Sequence, residues 1–354
     1  MTPLTGTIRP FTPRRLALSA TAVGAVLLLA ACGGSSGASD NAAGVADSGN
    51  AANVAAVIKG LDNPFFQAME AGIKAQGTDG TKVSVQAADS ITDTTGQGEK
   101  LTAMAGQDFN CFVVNPISGN NLVQGLAQIA RKNTPIVNID SPVDPKAADA
   151  AGAKISTYIG TDNVAAGRKA GAEMVTALGG SGEVALIGGI AGDVTSGARL
   201  DGFTSGVDGK LTVVQTVAAD WERQKALTAA TDLMRAHPEL KGFFAANDDM
   251  GLGISRDVAN AHKTGQIAVI SVDGNKDALE AVKAGELTAT VAQYPYAIGS
   301  LGVQACQAAV AGKTLPKKVE APTALVTKDV ADQAIAKFPA PFATFVNPLD
   351  KLSQ

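Results

Sequence analysis

Short apolar runs alternate with longer helical stretches along most of this 354-residue chain, and that alternation leaves few folds open. Strand-like runs fall at 54–59, 82–87, 111–115, 135–139 and 156–159, and again at 184–188, 211–218, 242–245, 267–272 and 288–292. Helical stretches lie between them, among them 64–76, 120–132, 162–178, 222–236, 248–260 and 276–284. The runs are nearly continuous in apolar residues, as strands buried on both faces must be. Repeated β-α-β units of this kind build parallel sheets covered by helices on each side. Ten strands in two groups of five predict an α/β protein with two doubly wound parallel-sheet lobes rather than one sheet. In such sheets ligands bind beyond the carboxyl ends of the strands, so the connecting loops are where chemistry is sought.

The amino-terminal end is of a different kind. Arg9, Arg14 and Arg15 precede an apolar stretch from 16 to 29, and small residues then lead to Cys32. A basic region, a short apolar core and a small-residue boundary make an export signal. The stretch is shorter than the roughly 20 residues a membrane span needs. With a cysteine at the boundary it is similar to the lipobox of bacterial lipoproteins, which implies cleavage after residue 31 and lipidation of Cys32. The arginine pair leaves the export route open. Residues 32–52 are small, polar and without period, the composition of a flexible tether. Loss of 1–31 removes three arginines and no acid, leaving 26 basic against 33 acidic side chains. An acidic exported chain with scattered charge is a poor nucleic-acid binder.

The loops after the predicted strands carry Asn63, Phe65 and Phe66, then Asn115, then Asp140 and Ser141. In the second group they carry Arg199, Trp221, Asn247, Asp273 and Gln293. These are carboxylates, carboxamides, one arginine and three aromatic rings. No nucleophile–base pair and no metal-ligand spacing occurs among them, so neither an enzyme nor a metal or other cofactor is expected. Sugar hydroxyls donate and accept, matching Asp, Asn, Gln and Arg, while their C–H faces stack on rings. Some residues have plainer readings. Asp62 or Asn63 can be a helix cap before a proline at the first helical position, and Asp162 and Asp248 are read as caps. The glycines at 188–192 lack the dinucleotide fingerprint and the phosphate-loop lysine, and are read as backbone room near the cleft. His237 and His262 are too far apart for a familiar metal motif and receive no role.

In order along 53–315, the chain contains DNPFF (62–66), VNPIS (114–118), NID (138–140), TDNVAAG (161–167), GIAGD (189–193) and ARLDGF (198–203). ADWE (219–222), HPELKGFFAANDDMGLG (237–253), VDGNKDALEAV (272–282) and VAQYP (291–295) follow. Taken together this set resembles the ribose-type family of periplasmic sugar-binding proteins that serve ABC importers. The resemblance implies two lobes joined by a multi-strand hinge and closing on a ligand between them. By that layout, lobe one is 53–161 plus 294–322, lobe two 162–293 plus 323–345, and 346–354 is a carboxyl-terminal tail. The Pro-rich end from Phe338 is expected to pack on the surface or dangle.

The resemblance also implies roles. Asn63, Phe65, Phe66, Asn115 and Asp140 would meet the ligand from lobe one. Arg199, Trp221, Asn247 and Asp273 would meet it from lobe two, with Gln293 on a crossover. One position departs: ribose binders carry an arginine after the aspartate of the fourth strand, and here Ser141 stands there. A short hydroxyl replaces a bidentate charged donor, which disfavours ribose and leans toward a sugar alcohol or cyclitol. Cys111 and Cys306 both fall in lobe one on this layout. In an oxidising compartment a disulfide and two buried thiols remain equal readings.

The expectation is therefore an extracytoplasmic, lipid-anchored, monomeric solute-binding protein that hands a monosaccharide, sugar alcohol or cyclitol to an ABC importer permease. Presentation of the loaded form to a chemoreceptor or sensor kinase is a second reading. A secreted sugar-acting enzyme is a third, and would need a pocket acid of raised pKa. A lactose-repressor-type regulator would need a DNA-binding headpiece where this chain has a signal.

Overall fold

The structure, a computed structural model, describes residues 51–78, 80–343 and 346–352. The leader at 1–31, Cys32 and nearly all of the linker lie outside the described residues. The linker ends one residue early, because Ala52 already opens the first strand.

The first half of the chain runs β1 (Ala52–Ile58), α1 (Pro64–Lys74), β2 (Thr81–Ala87), α2 (Thr94–Ala105), β3 (Cys111–Val114). It continues with α3 (Val123–Arg131), β4 (Ile136–Ile139), α4 (Pro145–Ala151) and β5 (Thr157–Thr161). The second half repeats the scheme with α5 (Asn163–Ala177), β6 (Glu183–Gly188), α6 (Val194–Val207), β7 (Thr212–Ala218) and α7 (Arg223–Ala236). Then come β8 (Leu240–Ala245), α8 (Asp248–Asn260), β9 (Ala268–Asp273), α9 (Lys276–Ala284) and β10 (Ala289–Ala292). The chain finishes with α10 (Pro295–Val310), β11 (Lys318–Ala321), β12 (Ala324–Val326) and α11 (Ala331–Lys337).

These strands form two sheets of six, ordered β11-β5-β4-β3-β1-β2 and β12-β10-β9-β8-β6-β7. Five strands per lobe is corrected to six: β11 and β12 are late edge strands. Each is too short to show an apolar run, and β11 alternates exposed and buried residues. β11 joins β5 in parallel, whereas β12 runs antiparallel to β10. Both sheets reverse strand order after their first strand, between β1 and β3 and between β6 and β8. Those switch points open crevices at the carboxyl ends of the strands. Between β1 and β12 the chain passes from one sheet to the other at three places, from β5 to α5, from β10 to α10 and from β11 to β12.

Each sheet is packed on both faces. Phe65, Met69, Ile73, Ile298 and Leu301 cover one face of the first sheet, and Leu101, Leu126 and Ile129 the other. In the second lobe α5 and α6 pack backbone to backbone. A Cβ at Gly167 would lie 2.1 Å from the Arg199 carbonyl oxygen, and one at Gly202 2.2 Å from that of Val164. Only glycine permits that approach, and it fixes the α6 turn that carries Arg199 against the start of α5. Cys111 on β3 and Cys306 on α10 are bonded, with their Cα atoms 5.7 Å apart. The bond ties the returning helix α10 to the centre of the first sheet.

Residues 338–343 and 346–349 do not form a loose tail. Phe338 and Phe342 pack against the core of the second lobe, and the Phe342 ring meets Tyr294 edge-on at 6.4 Å. Leu349 is buried in the core of the first lobe. Its apolar side chain excludes the dangling arrangement that the prolines suggested.

Candidate ligand-binding site

The two crevices face each other across a cleft of about 520 Å³, a volume that includes space open to solvent. Lobe one contributes Lys59, Asn63, Phe65, Phe66, Asp140 and Ser141, and lobe two Arg199, Trp221, Asn247 and Asp273, with isoleucines 91, 117 and 190 and Thr195 at the edges.

Local sequence explains much of this placement. The Asn63 side chain accepts from the Phe65 N–H at 2.9 Å, and Pro64 takes the first helical position. The cap turns α1 so that Phe65 and Phe66 lie at its mouth, in edge contact at 5.2 Å between ring centres. Asn247 plays the same part for α8, accepting from Met250 N–H at 2.9 Å. Asp162 caps α5. Asp248 does not act as a cap: it is the first helical residue and fully buried. Its carboxylate accepts from Ser271 and Thr290 hydroxyls at 2.6 Å each and from Asn275 N–H at 2.7 Å. That clasp gathers the ends of β9 and β10 beneath Asp273. Asp140, Trp221 and Asp273 adopt positive φ of 58°, 68° and 143°. Backbone strain of this kind in non-glycine residues gathers at functional sites.

Arg199 is the centre of the lobe-two half. Its Nε donates to Asn163 Oδ1 at 2.9 Å, and Nη1 to the Ala246 carbonyl at 2.6 Å and to Asp273 Oδ1 at 3.2 Å. Its guanidinium lies 5.8 Å from the Trp221 ring centre. In lobe one Lys59 Nζ donates to Ser141 Oγ at 2.7 Å and lies 5.4 Å from the Phe66 ring. Burial lowers the Lys59 pKa, and Asp140 opposes that shift. Tyr158 donates to the Asp140 carbonyl at 2.5 Å, and burial raises its pKa.

Asn115 and Gln293 are not among the residues that line the cavity. Asn115 lies behind it, donating to Met69 Sδ at 3.4 Å and accepting from Ser141 N–H at 3.4 Å. Gln293 donates to Asp273 Oδ1 at 2.8 Å and so orients that carboxylate from behind. Lys59 is the main residue that sequence reasoning passed over, although it closes the first apolar strand directly before the DNPFF loop.

Gly189 makes room for the only tryptophan. A Cβ there would fall 2.0 Å from Trp221 Cε2. Gly189→Ala should therefore displace the ring and shift its fluorescence, at a stability cost of about 1–3 kcal/mol. An unchanged emission spectrum would refute that packing.

Asp273 supplies a pH signature. Burial raises its carboxyl from 3.8 to about 8, against the pull of the Arg199 charge. Between those values the folded protein holds a proton that the unfolded chain has released. Stability then falls as pH rises through the window. Asp273→Asn keeps the shape and removes the titration, so its melting temperature should vary less with pH than that of the wild type. Equal slopes would place the dependence elsewhere.

Among the described residues no cluster of His, Cys, Asp and Glu is arranged to hold a metal, and no helix is long and apolar enough to cross a membrane. Two doubly wound lobes around a shared cleft define a solute-binding fold, and comparison with known proteins agrees. Residues 54–314 match the family described as periplasmic binding protein domain. The D-allose-binding periplasmic protein of Escherichia coli (strain K12) is 36% identical over 271 residues, covering 75% of this chain and 87% of the relative. The ribose import binding protein of Bacillus subtilis (strain 168) is 33% identical over 269 residues, covering 76% and 85%. A periplasmic solute-binding protein of an ABC transporter from Actinobacillus succinogenes 130z, solved with D-allose, superposes with a TM-score of 0.75 at 26% identity, covering 79% of this chain and 99% of that one. The chain belongs to the ribose-type periplasmic sugar-binding family.

Proposed function

We propose that this protein is an extracytoplasmic solute-binding lipoprotein. It captures a neutral monosaccharide, sugar alcohol or cyclitol between its lobes and delivers it to an ABC importer permease. Cys32 carries the lipid anchor, and the hinge moves 53–161 with 294–322 against 162–293 with 323–345. The observation that carries the reading is the make-up of the cleft: Lys59 and Arg199, Asp140 and Asp273, and aromatic rings from both lobes. A lining that offers both hydrogen-bond donors and acceptors suits an uncharged polyhydroxylated ligand, and rings on both sides suit its C–H faces. Burial raises Asp273 as a catalytic acid would require, but its oxygen is held by Arg199 and Gln293. That arrangement favours binding over turnover.

The geometry bears on ligand choice. Loss of an arginine at 141 argued against a ribose-like ring. Lys59 now brings a cationic head to within 2.7 Å of the Ser141 hydroxyl from a different strand. Together with the allose- and ribose-binding relatives, this supports testing D-allose and D-ribose first, beside the polyols. A thermal-shift screen of the purified protein against aldoses, linear polyols and inositols tests the proposal. Ligand at 100 times its Kd stabilises by about 2.7 kcal/mol. A single shifted sugar recovered unchanged supports the reading. A consumed sugar would make the protein an enzyme, and silence across the panel would overturn the sugar assignment.

A further inference from the structure

We propose that the cleft is built for a sugar that ends in a methyl group, so that 6-deoxyhexoses bind more tightly than the hexoses and pentoses of the same ring configuration. This deepens the sugar-binding reading above and rests on it. The lining is divided between two ends. Asp140 and Asp273 sit at the ends of β4 and β9, each the third strand of its sheet counted from β11 or β12. Lys59 follows β1 and Arg199 lies on α6, both farther out, but their heads turn back. Lys59 Nζ donates to Ser141 Oγ at 2.7 Å, which in turn donates to Asp140 Oδ2 at 3.3 Å. Arg199 Nη1 is 3.2 Å from Asp273 Oδ1. All four charged side chains of the lining therefore gather about the ends of β4 and β9.

The other end is apolar. Ile91, Ile117 and Ile190 line the cleft from the loops after β2, β3 and β6, strands that lie beyond β4 and β9 in the same count. Ile117 is buried, and Ile91 and Ile190, one from each lobe, are half-buried. Thr195 joins them on the first turn of α6, yet its hydroxyl oxygen is out of reach of solvent and offers a ligand no hydrogen bond. A sugar in this cleft has its ring hydroxyls served at the charged end. A hydroxymethyl group among the isoleucines would give up its water and meet no charged group and no accessible hydroxyl side chain. A bare methyl gives up no hydrogen bond there and gains apolar contact. A pentose, with only hydrogen at that position, leaves the contact unmade.

The test is calorimetric titration of the purified protein with trios of equal ring configuration. The first is 6-deoxy-D-allose, D-allose and D-ribose, the second D-fucose, D-galactose and L-arabinose, the third 6-deoxy-D-glucose, D-glucose and D-xylose. It is run on wild type and on Ile190→Ser, which sets a hydroxyl at the apolar end. In whichever trio binds, the 6-deoxy member should be the tightest, by about tenfold or more over its hexose. Ile190→Ser should cut that margin to below about threefold, whereas a merely structural loss would weaken all three members alike. A hexose or pentose that binds as well as its 6-deoxy partner would overturn the inference and leave the sugar reading standing. A margin indifferent to Ile190→Ser would do the same. No binding by any of these sugars would instead strike down the sugar reading, and this inference with it.

Discussion

Arg199→Ala is expected to abolish measurable solute binding and to lower the stability of the protein by about 3–5 kcal/mol, since it leaves three buried acceptors without their donor at roughly 1–3 kcal/mol each. The guanidinium is 4% exposed and serves three acceptors on three different segments, at Asn163, Ala246 and Asp273. Its removal strands Asp273 and frees the start of α5 from the end of β8. Arg199→Lys should recover little, since a point charge cannot replace a planar fork that reaches all three. Adding Asp273→Asn to Arg199→Ala should restore part of the stability and none of the binding. Such a split between melting temperature and affinity is what a double-mutant comparison reads. Wild-type affinity in Arg199→Ala would remove the guanidinium from the site.

Joint replacement of Cys111 and Cys306 by serine should cost still more in stability while leaving the cleft intact. The bond closes a span of 195 residues. In the chain-entropy account a loop of that size is worth about 5 kcal/mol, or a fall in melting temperature of roughly 10 °C for a chain of this length. Both cysteines are fully buried on the α1–α10 side of the first sheet, away from the cavity lining. Affinity measured below the melting transition should change by less than about threefold. Reduction with dithiothreitol should reproduce the thermal effect in the wild type and have none in the double variant. Equal melting curves with and without reductant would refute a stabilising bond.

The lobes were legible because buried parallel strands write continuous apolar runs, and the strand-end loops were legible because each follows such a run. Asn63-Pro64 read directly as a helix start. What the pattern could not supply was orientation. Asn115 and Gln293 have the same polar character as Asn247 and Asp273 but are not among the lining residues. Asp140, Trp221 and Asp273 take positive φ, which nothing in a non-glycine sequence announces. Lys59 closes the apolar run 54–59 and carries no signal of its own in the sequence. Only the register that stacks β3 between β1 and β4 brings its ammonium to Ser141. Asp248 passed for a cap because its three partners come from 23 to 42 residues downstream.

The interleaving of the two lobes has a consequence for how the molecule is made. β11 completes the first sheet and β12 the second, and they are separated by only two residues near the end of the chain. The first lobe also waits for Cys306 and Leu349, and the second for Phe338 and Phe342. A ribosome that has finished either lobe's first five strands has therefore finished neither lobe. Multidomain chains ordinarily fold from the amino terminus onward as they emerge; here neither lobe has all of its core residues until residues 318–349 have been made.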